Sequence, residues 1–385
     1  MIRDNVLTFP RTVFREDHEA LRETVRRFLE RECLPRQAQW DRDGRVDRET
    51  WLKAGREGLL CTTLAEEWGG GGGDFGHSAV IVEELARSGV SGLGFGLHSD
   101  IVAPYIERLG TPEQKRRWLS SIARGETILA IAMSEPGAGS DLKSIRTTAR
   151  RDGDDYVLSG QKTFISNGLN CDLIVVVAKT QPELGAKGTS LILVEADRPG
   201  FRKGRKLDKM GQQAADTAEL FFEDVRVPAS NRLGEEGKGF AYLMQELAQE
   251  RFVIALGAAA KLEAMLDETI RYTKERIVFG KPLFDFQNTR FKLAEIKARA
   301  TAVRMMVDTY LGEHMRRRLT VEEGAIAKLH ATEELGRCLD ELLQLHGGYG
   351  YMMEYPIARA FVDSRVNRIY GGTSEVMKEL ISRSL

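Results

Sequence analysis

Two stretches of this sequence set glycine beside short polar side chains. That combination lets a backbone come close to a ligand while hydroxyls and carboxylates contact it. In AMSEPGAGSDL, residues 132–142, Gly137 and Gly139 lie among Ser134, Ser140 and Asp141. In RIYGGTSEVMKEL, residues 368–380, Gly371 and Gly372 lie beside Thr373 and Ser374. Each reads either as a ligand-holding loop or as a Gly-rich connector. Neither ends in the G-K-[S/T] of a P-loop, and no G-x-G-x-x-G opens a strand–helix unit. The tip of the second stretch holds no acid or base, so a reaction centred there must draw its proton acceptor from another element. In QELAQERFVIALG, residues 245–257, Glu250 and Arg251 read by themselves as a surface carboxylate and a surface ion pair on a charged helix. His346, in LHGGYG, reads as a structural residue. FRKGRKLDKMG, residues 201–211, reads as a basic, solvated loop.

The elements that must position these residues follow from periodicity. In DHEALRETVRRFLERECLP, Leu21, Val25, Phe28 and Leu29 recur at helical spacing, and Pro35 is expected to end the helix. TPEQKRRWLSSIARG opens with Thr111 as a cap, Pro112 at the first helical position and Gln114 to close a capping box. WGGGGGDFG, residues 68–76, reads as a loop. In the middle of the chain YVLSGQKTFISNG, CDLIVVVAKT, GTSLILVEA and TAELFFEDVRVP are short and β-branched or aromatic. In the last of these, Ala218, Leu220 and Phe222 alternate with Glu219 and Glu223, the period of a strand with one buried face. The final third returns to long helices, one opening with a Thr320–Glu323 capping box and ending at Gly347. Each exceeds the roughly 12 residues of an average helix, as helices of a bundle do. The predicted class is α+β: a helical region over 1–130, a compact β-domain over 131–235 and a helical bundle over 236–385.

Composition excludes several functions. Of 385 residues, 42% are apolar, enough for a sizeable core, and 56 basic against 57 acidic residues give a net charge of −1, without the basic surplus of a nucleic-acid binder. Cys33, Cys61, Cys171 and Cys338 stand far apart, so neither structural zinc nor a disulfide framework is expected, and no metal site is predicted. The start, MIRDNVLTFPRTVF, lacks a secretory apolar core, and the longest apolar run, LIVVVA, is far short of a membrane span. These features predict a cytoplasmic protein with no membrane span.

MSEPGAGSD resembles the signature of the acyl-CoA dehydrogenase family of flavoenzymes. QKTFISNG (161–168), RIVFGKPLFDFQ (276–287) and QLHGGYGYMMEYPIARAFVDSRVNRIYGGTSE (344–375) resemble further family motifs in the same order. The resemblance covers nearly the whole chain. It implies an N-terminal helical domain, a middle β-barrel and a C-terminal four-helix bundle, assembled as a homo-oligomer, usually a tetramer. It implies bound FAD and α,β-dehydrogenation of an acyl-CoA to a trans-2-enoyl-CoA, with electrons passed to an electron-transfer flavoprotein. By that resemblance Met133, Ser134, Gly139, Ser140, Phe164, Ile165 and Ser166 contact the cofactor, Ser140 also touching the acyl-CoA. Arg276, Phe279, Gln287, Gln344, Gly347 and Gly348 match residues that hold the FAD of a neighbouring subunit, and Thr373 and Glu375 match positions beside the cofactor.

Many members of that family carry the catalytic glutamate directly after the tyrosine matching Tyr370, where this chain has Gly371. Long-chain and isovaleryl-type members instead supply a glutamate followed by arginine from an earlier helix, with Gly or Ala in the loop. Glu250–Arg251 together with Gly371 matches both halves of that exchange. The resemblance therefore implies Glu250 as the base and Arg251 as a residue lining the acyl-CoA site. The Gly371 N–H, with a flavin hydroxyl, is implied as the donor to the thioester carbonyl. Desolvation by a bound acyl chain is expected to raise the pKa of Glu250. GLHSDIVAPYI, GRKLDKMG, DTAELFFEDVRVPAS and IYGGTSEVMKEL resemble the long-chain subgroup. Ala248 stands where that subgroup has proline, which leaves branched, sterol-side-chain or carrier-bound substrates open. A catalytically silent FAD-binding subunit and an oxygen-using acyl-CoA oxidase or nitroalkane oxidase-like flavoenzyme are the rival readings.

Overall fold

The computed structural model describes residues 6, 7 and 9–385. The N-terminal stretch read above as lacking a secretory core lies partly outside the described residues. Six helices come first: α1 (Glu16–Phe28), α2 (Gln37–Asp43), α3 (Arg48–Arg56), α4 (Phe75–Ser88), α5 (Ala103–Leu109) and α6 (Pro112–Ala123). The capping box read at α6 is present: the Thr111 hydroxyl accepts from the Gln114 N–H, and the Gln114 side chain accepts from the Thr111 N–H. The first helix does not stop at Pro35. A π-helical turn over Leu29–Cys33 and a 3-10 turn over Leu34–Arg36 carry the chain round into α2, which ends at Gly44 with φ 69°. Proline falls in the first turn of the new segment, where its missing N–H has no intrahelical acceptor to lose.

The strands are β1 (Leu129–Ala132), β2 (Thr148–Asp152), β3 (Asp155–Ile165), β4 (Leu173–Lys179), β5 (Thr189–Glu195), β6 (Phe201–Lys206), β7 (Ala218–Pro228) and β8 (Arg232–Leu233). They form one sheet in the order β6-β7-β3-β2-β4-β5-β8, with β1 added parallel to β4. One face of the sheet buries a core to which Tyr156, Leu158, Ile174, Val176, Ile192, Leu220, Phe222 and Val227 contribute, and β6 and β8 are its two ends. β7 alternates as the sequence predicts, Ala218, Leu220 and Phe222 facing inward. The unbroken apolar run of β4 is explained by burial on both faces. Ile174, Val176 and Ala178 enter the sheet core, while Leu173, Val175 and Val177 pack against Tyr105, Ile106, Leu119 and Ile122 of α5 and α6.

The last third holds α7 (Gly239–Glu275), a short hairpin of β9 (Ile277–Val278) and β10 (Lys281–Pro282), α8 (Gln287–Met315), α9 (Val321–His346), α10 (Pro356–Ser364) and α11 (Ser374–Ser382). α7, α8 and α9 pack on one another, α10 lies on α7 and α9, and α11 lies on α9. At 37 residues α7 spans roughly 55 Å and organises the molecule. α7 runs unbroken through Ala248 and crosses α9 so closely that a Cβ on Gly324 would lie 2.8 Å from the Ala248 carbonyl. α4 packs on α7, so Phe75, Ala79 and Val82 share the bundle core with Phe252, Leu256 and Leu335. A buried ion-pair network crosses the same interface. Glu83 on α4 meets Arg11, Arg22 and Arg304, and Arg304 also binds Glu263 on α7. No described helix is long and apolar enough to cross a membrane.

Candidate active site

Glu250 sits on the part of α7 that faces α5, and its side chain is buried at 5% exposure. The Tyr105 hydroxyl donates to its Oε1 at 3.0 Å. Burial raises the carboxyl pKa to about 7. Tyr105 and the charge of Arg251 oppose the rise, and Glu246 adds to it. Arg251, next along the helix, is also buried. Its Nε has no hydrogen-bond partner among the described residues, and burial lowers its pKa against the pull of Glu250. A carboxyl that titrates near neutrality and keeps one hydrogen bond has the properties of a general base.

The Gly371–Gly372 turn approaches the same face of α7. A Cβ on Gly371 would lie 2.5 Å from Cδ1 of Ile254, which is four residues beyond Glu250 and therefore stacked on its side of the helix. Both glycines have positive φ, 63° and 96°, a conformation that other residues adopt only under strain. Thr373 caps α11 by accepting from the Val376 N–H at 3.3 Å, and Glu375 lies exposed in the first turn of that helix. From α9, Lys328 donates to the Gly372 carbonyl and Glu333 accepts from the Ser374 hydroxyl at 2.6 Å.

A second wall is made by residues 133–141 and the end of β3. The Thr163 N–H donates to the Ser134 carbonyl at 3.0 Å, tying the loop to the strand. Below it, the buried Lys162 ammonium donates to the Met133 carbonyl at 3.0 Å and to Glu135 at 2.8 Å. Glu135 also accepts from the N–H groups of Arg146 and Thr147. Burial pulls Lys162 down to about 8, and Lys162 holds Glu135 below the usual carboxylate range. Met133 packs against the apolar cluster to which Tyr105 also belongs. Phe164 and Ser166 emerge on one side of the chain while Ile165 enters the sheet core, so Ile165 offers only its backbone to a ligand. Gly139 and Ser140 are exposed.

A third group gathers at the far end of α7. Arg276 lies over the Tyr349 ring at 5.4 Å, and Tyr272 stacks on His346. His346 also bonds Thr269, and burial lowers its pKa to about 4, so it stays neutral and structural near pH 7. Gln287, Gln344, Gly347 and Gly348 are exposed here, and Phe279 is 97% exposed at the hairpin tip. Twenty-five helical residues lie between Glu250 and Arg276, roughly 40 Å of axis. Along α7, Glu250 therefore lies with the Gly371 turn and apart from the Arg276 group.

The residues fit a flavin. A Cβ built on Gly137, Gly139, Gly347 or Gly348 meets nothing within 4 Å, so these backbones border open space. Phe164 is held at φ 60° and is 70% exposed, an arrangement that suits a flat partner. A different cluster, Asp17, His18 and His77, has ligand-type atoms close together. The Nδ1 atoms of both histidines already accept from the backbone N–H groups of Arg15 and Asp74, and His18 Nε2 contacts Asp74, so the rings serve as helix caps.

Sequence reasoning missed Tyr105, Lys162 with Glu135, and Lys328. Tyr105 sits at apolar spacing in APYIERL and reads as packing. Lys162 does carry a signal, being a lone cation at an inward position of β3. Lys328 also carries one, a lysine among the alanines of GAIAKLHA.

Known proteins match this architecture along its length. Family domains described as Acyl-CoA dehydrogenase, N-terminal, middle and C-terminal domain match residues 15–126, 130–225 and 237–385. The mouse long-chain specific acyl-CoA dehydrogenase, mitochondrial, is 51% identical over 377 residues, covering 97% of this chain and 88% of the relative. A 3-(aryl)acrylate reductase of Clostridium sporogenes is 36% identical over 97% of this chain and 99% of its own. The crystal structure of an acyl-CoA dehydrogenase from Geobacillus kaustophilus superposes with a TM-score of 0.96 at 50% identity, covering 97% of this chain and 99% of that one.

Proposed function

The chain belongs to the acyl-CoA dehydrogenase family of FAD-dependent oxidoreductases, and from that premise we propose that it oxidises long-chain acyl-CoA thioesters to trans-2-enoyl-CoA with Glu250 as the base. The observation that carries the proposal is the buried Glu250, hydrogen-bonded to Tyr105 and facing a turn whose tip is Gly371. Bound FAD supplies the hydride acceptor for the substrate β-carbon. Glu250 removes the α-proton at the carboxylate oxygen not engaged by Tyr105. The Gly371 N–H donates to the thioester carbonyl oxygen and stabilises the negative charge that builds there. Arg251 lines the same buried space. Met133, Ser134, Phe164 and Ser166 border the flavin ring, and Thr373 and Glu375 flank it at the start of α11.

Arg276, Phe279, Gln287, Gln344, Gly347 and Gly348 hold the cofactor of a neighbouring subunit in a homo-oligomer, a tetramer. Their distance from Glu250 along α7 supports that division. An electron-transfer flavoprotein takes the electrons, in keeping with the ordered family motifs. The buried, hydrogen-bonded state of Glu250 favours a working enzyme over a silent cofactor-binding subunit.

Anaerobic titration of the flavin-loaded protein with thioesters of increasing chain length and branching tests the substrate class. Bleaching of the visible flavin band is expected to be fastest with palmitoyl-CoA. Faster bleaching by short or branched thioesters would overturn the long-chain assignment.

A further inference from the structure

α9 carries an ammonium group into the protein interior at a place with no apparent structural need for one. Lys328 is 0% exposed and lies on a stretch where Ala325, Ala327 and Ala331 are also fully buried. Burying a charge is costly unless it is paired, and the usual compensation is a carboxylate. Lys328 has no ion pair among the described residues. Its one hydrogen bond runs from Nζ to the Gly372 carbonyl at 2.5 Å. Burial and the charge of Arg251 pull its pKa down to about 8, while Glu333 and Glu375 act in the opposite sense.

The group it holds is the part of the turn least able to fix itself. Gly371 and Gly372 are consecutive residues of positive φ, and glycine is the residue with the most backbone freedom to lose. Two side chains of α9 hold polar groups of the turn. Lys328 holds the Gly372 carbonyl. Glu333 accepts from the Ser374 hydroxyl at 2.6 Å and reaches back to Arg368, on the other side of the turn, at 3.4 Å. α9 itself is locked against α7 at the Gly324–Ala248 crossing, only four residues before Lys328. The turn is thus referenced to the helix that bears Glu250.

We propose that Lys328 is a positioning residue: its buried ammonium fixes the Gly372 carbonyl and so sets the Gly371 N–H at the distance from Glu250 that the substrate carbonyl requires. The proposal rests on the assignment of Glu250 and Gly371 above. A donor misplaced by about an ångström forfeits much of its effect on the reaction, up to roughly 100-fold.

The test uses flavin-loaded Lys328→Met, which removes the donor and keeps the volume. Hydrogen exchange of the amides at 369–376 is expected to rise about tenfold, while α7 stays protected. The rate of flavin bleaching by palmitoyl-CoA is expected to fall about 10- to 100-fold. Binding of a thioether analogue, which lacks the carbonyl oxygen, changes less than about twofold, because it makes no use of the Gly371 donor. Lys328→Arg, which keeps a donor, recovers part of the rate. Wild-type exchange at 369–376 together with a wild-type bleaching rate in Lys328→Met overturns the proposal.

If Lys328→Met does not retain flavin, Lys328→Gln, a shorter and uncharged side chain, tests the same contact. Faster exchange at 369–376 supports the clamp, and unchanged exchange refutes it. The exchange measurement needs no substrate. A wild-type protein that bleaches with no thioester would therefore sink the functional assignment and leave the result on the turn readable.

Discussion

An ionised Glu250 is a cost to the fold. Its pKa of about 7 in the folded protein lies above the ordinary value of 4.5, and burial is the main cause. A raised pKa fixes the sign of its linkage to stability. Below the unfolded value both states are protonated and the neutral acid is accommodated. Between 4.5 and about 7 the unfolded chain ionises first, and stability falls as pH rises. Above about 7 the full loss is felt, on the order of 3 kcal/mol. Glu250→Gln is therefore expected to raise the melting temperature relative to wild type at pH 8 by more than it does at pH 5. An equal difference at the two pH values would contradict the burial account. At this scale the sequence was legible only through pairs. Glu250 alone looks like any surface glutamate, and it stood out because Gly371 occupies the loop position matching the usual base. Tyr105 had no such partner in the sequence, since an aromatic at core spacing reads the same whether its hydroxyl is used or not.

Among the elements, the Gly371 turn is the one most exactingly shaped by its neighbours. Gly371→Ala forces a Cβ to a positive φ, costing roughly 1–2 kcal/mol, and pushes it against Ile254 of α7. The variant is expected to keep its flavin while its bleaching rate with palmitoyl-CoA drops about 100-fold, the scale of losing one well-placed donor. A wild-type rate would show that the turn does not touch the reacting carbonyl. The elements themselves were largely readable where local chemistry decides them. The Thr111 and Thr320 capping boxes and the alternation of β7 are present as read. The helix stop at Pro35 failed because a π turn and a 3-10 turn let the chain continue round it, a compromise set by packing rather than by propensity. The bracing of the Met133–Asp141 loop by Lys162 and Glu135 joins residues 27 apart, beyond the reach of any local pattern.

Over the whole molecule, the order helices, strands, helices was plain from the change in apolar period, and family motifs placed in that order carried the rest. The ties between regions were not visible. Arg22, Arg304 and Glu83 lie 61 and 221 residues apart in sequence, yet they meet in one buried network between α4 and α8. Nor does periodicity reveal that α7 carries Glu250 in its first half and leads to the Arg276 group at its far end. The architecture converges on a single claim, that the carboxylate presented by α7 to the Gly371 turn removes the α-proton. Rapid anaerobic mixing of flavin-loaded wild type and Glu250→Gln with palmitoyl-CoA tests it most directly. The account predicts fast loss of flavin absorbance in the wild type and a rate at least about 1,000-fold lower in Glu250→Gln at equal flavin content. Bleaching of the variant at the wild-type rate would contradict it.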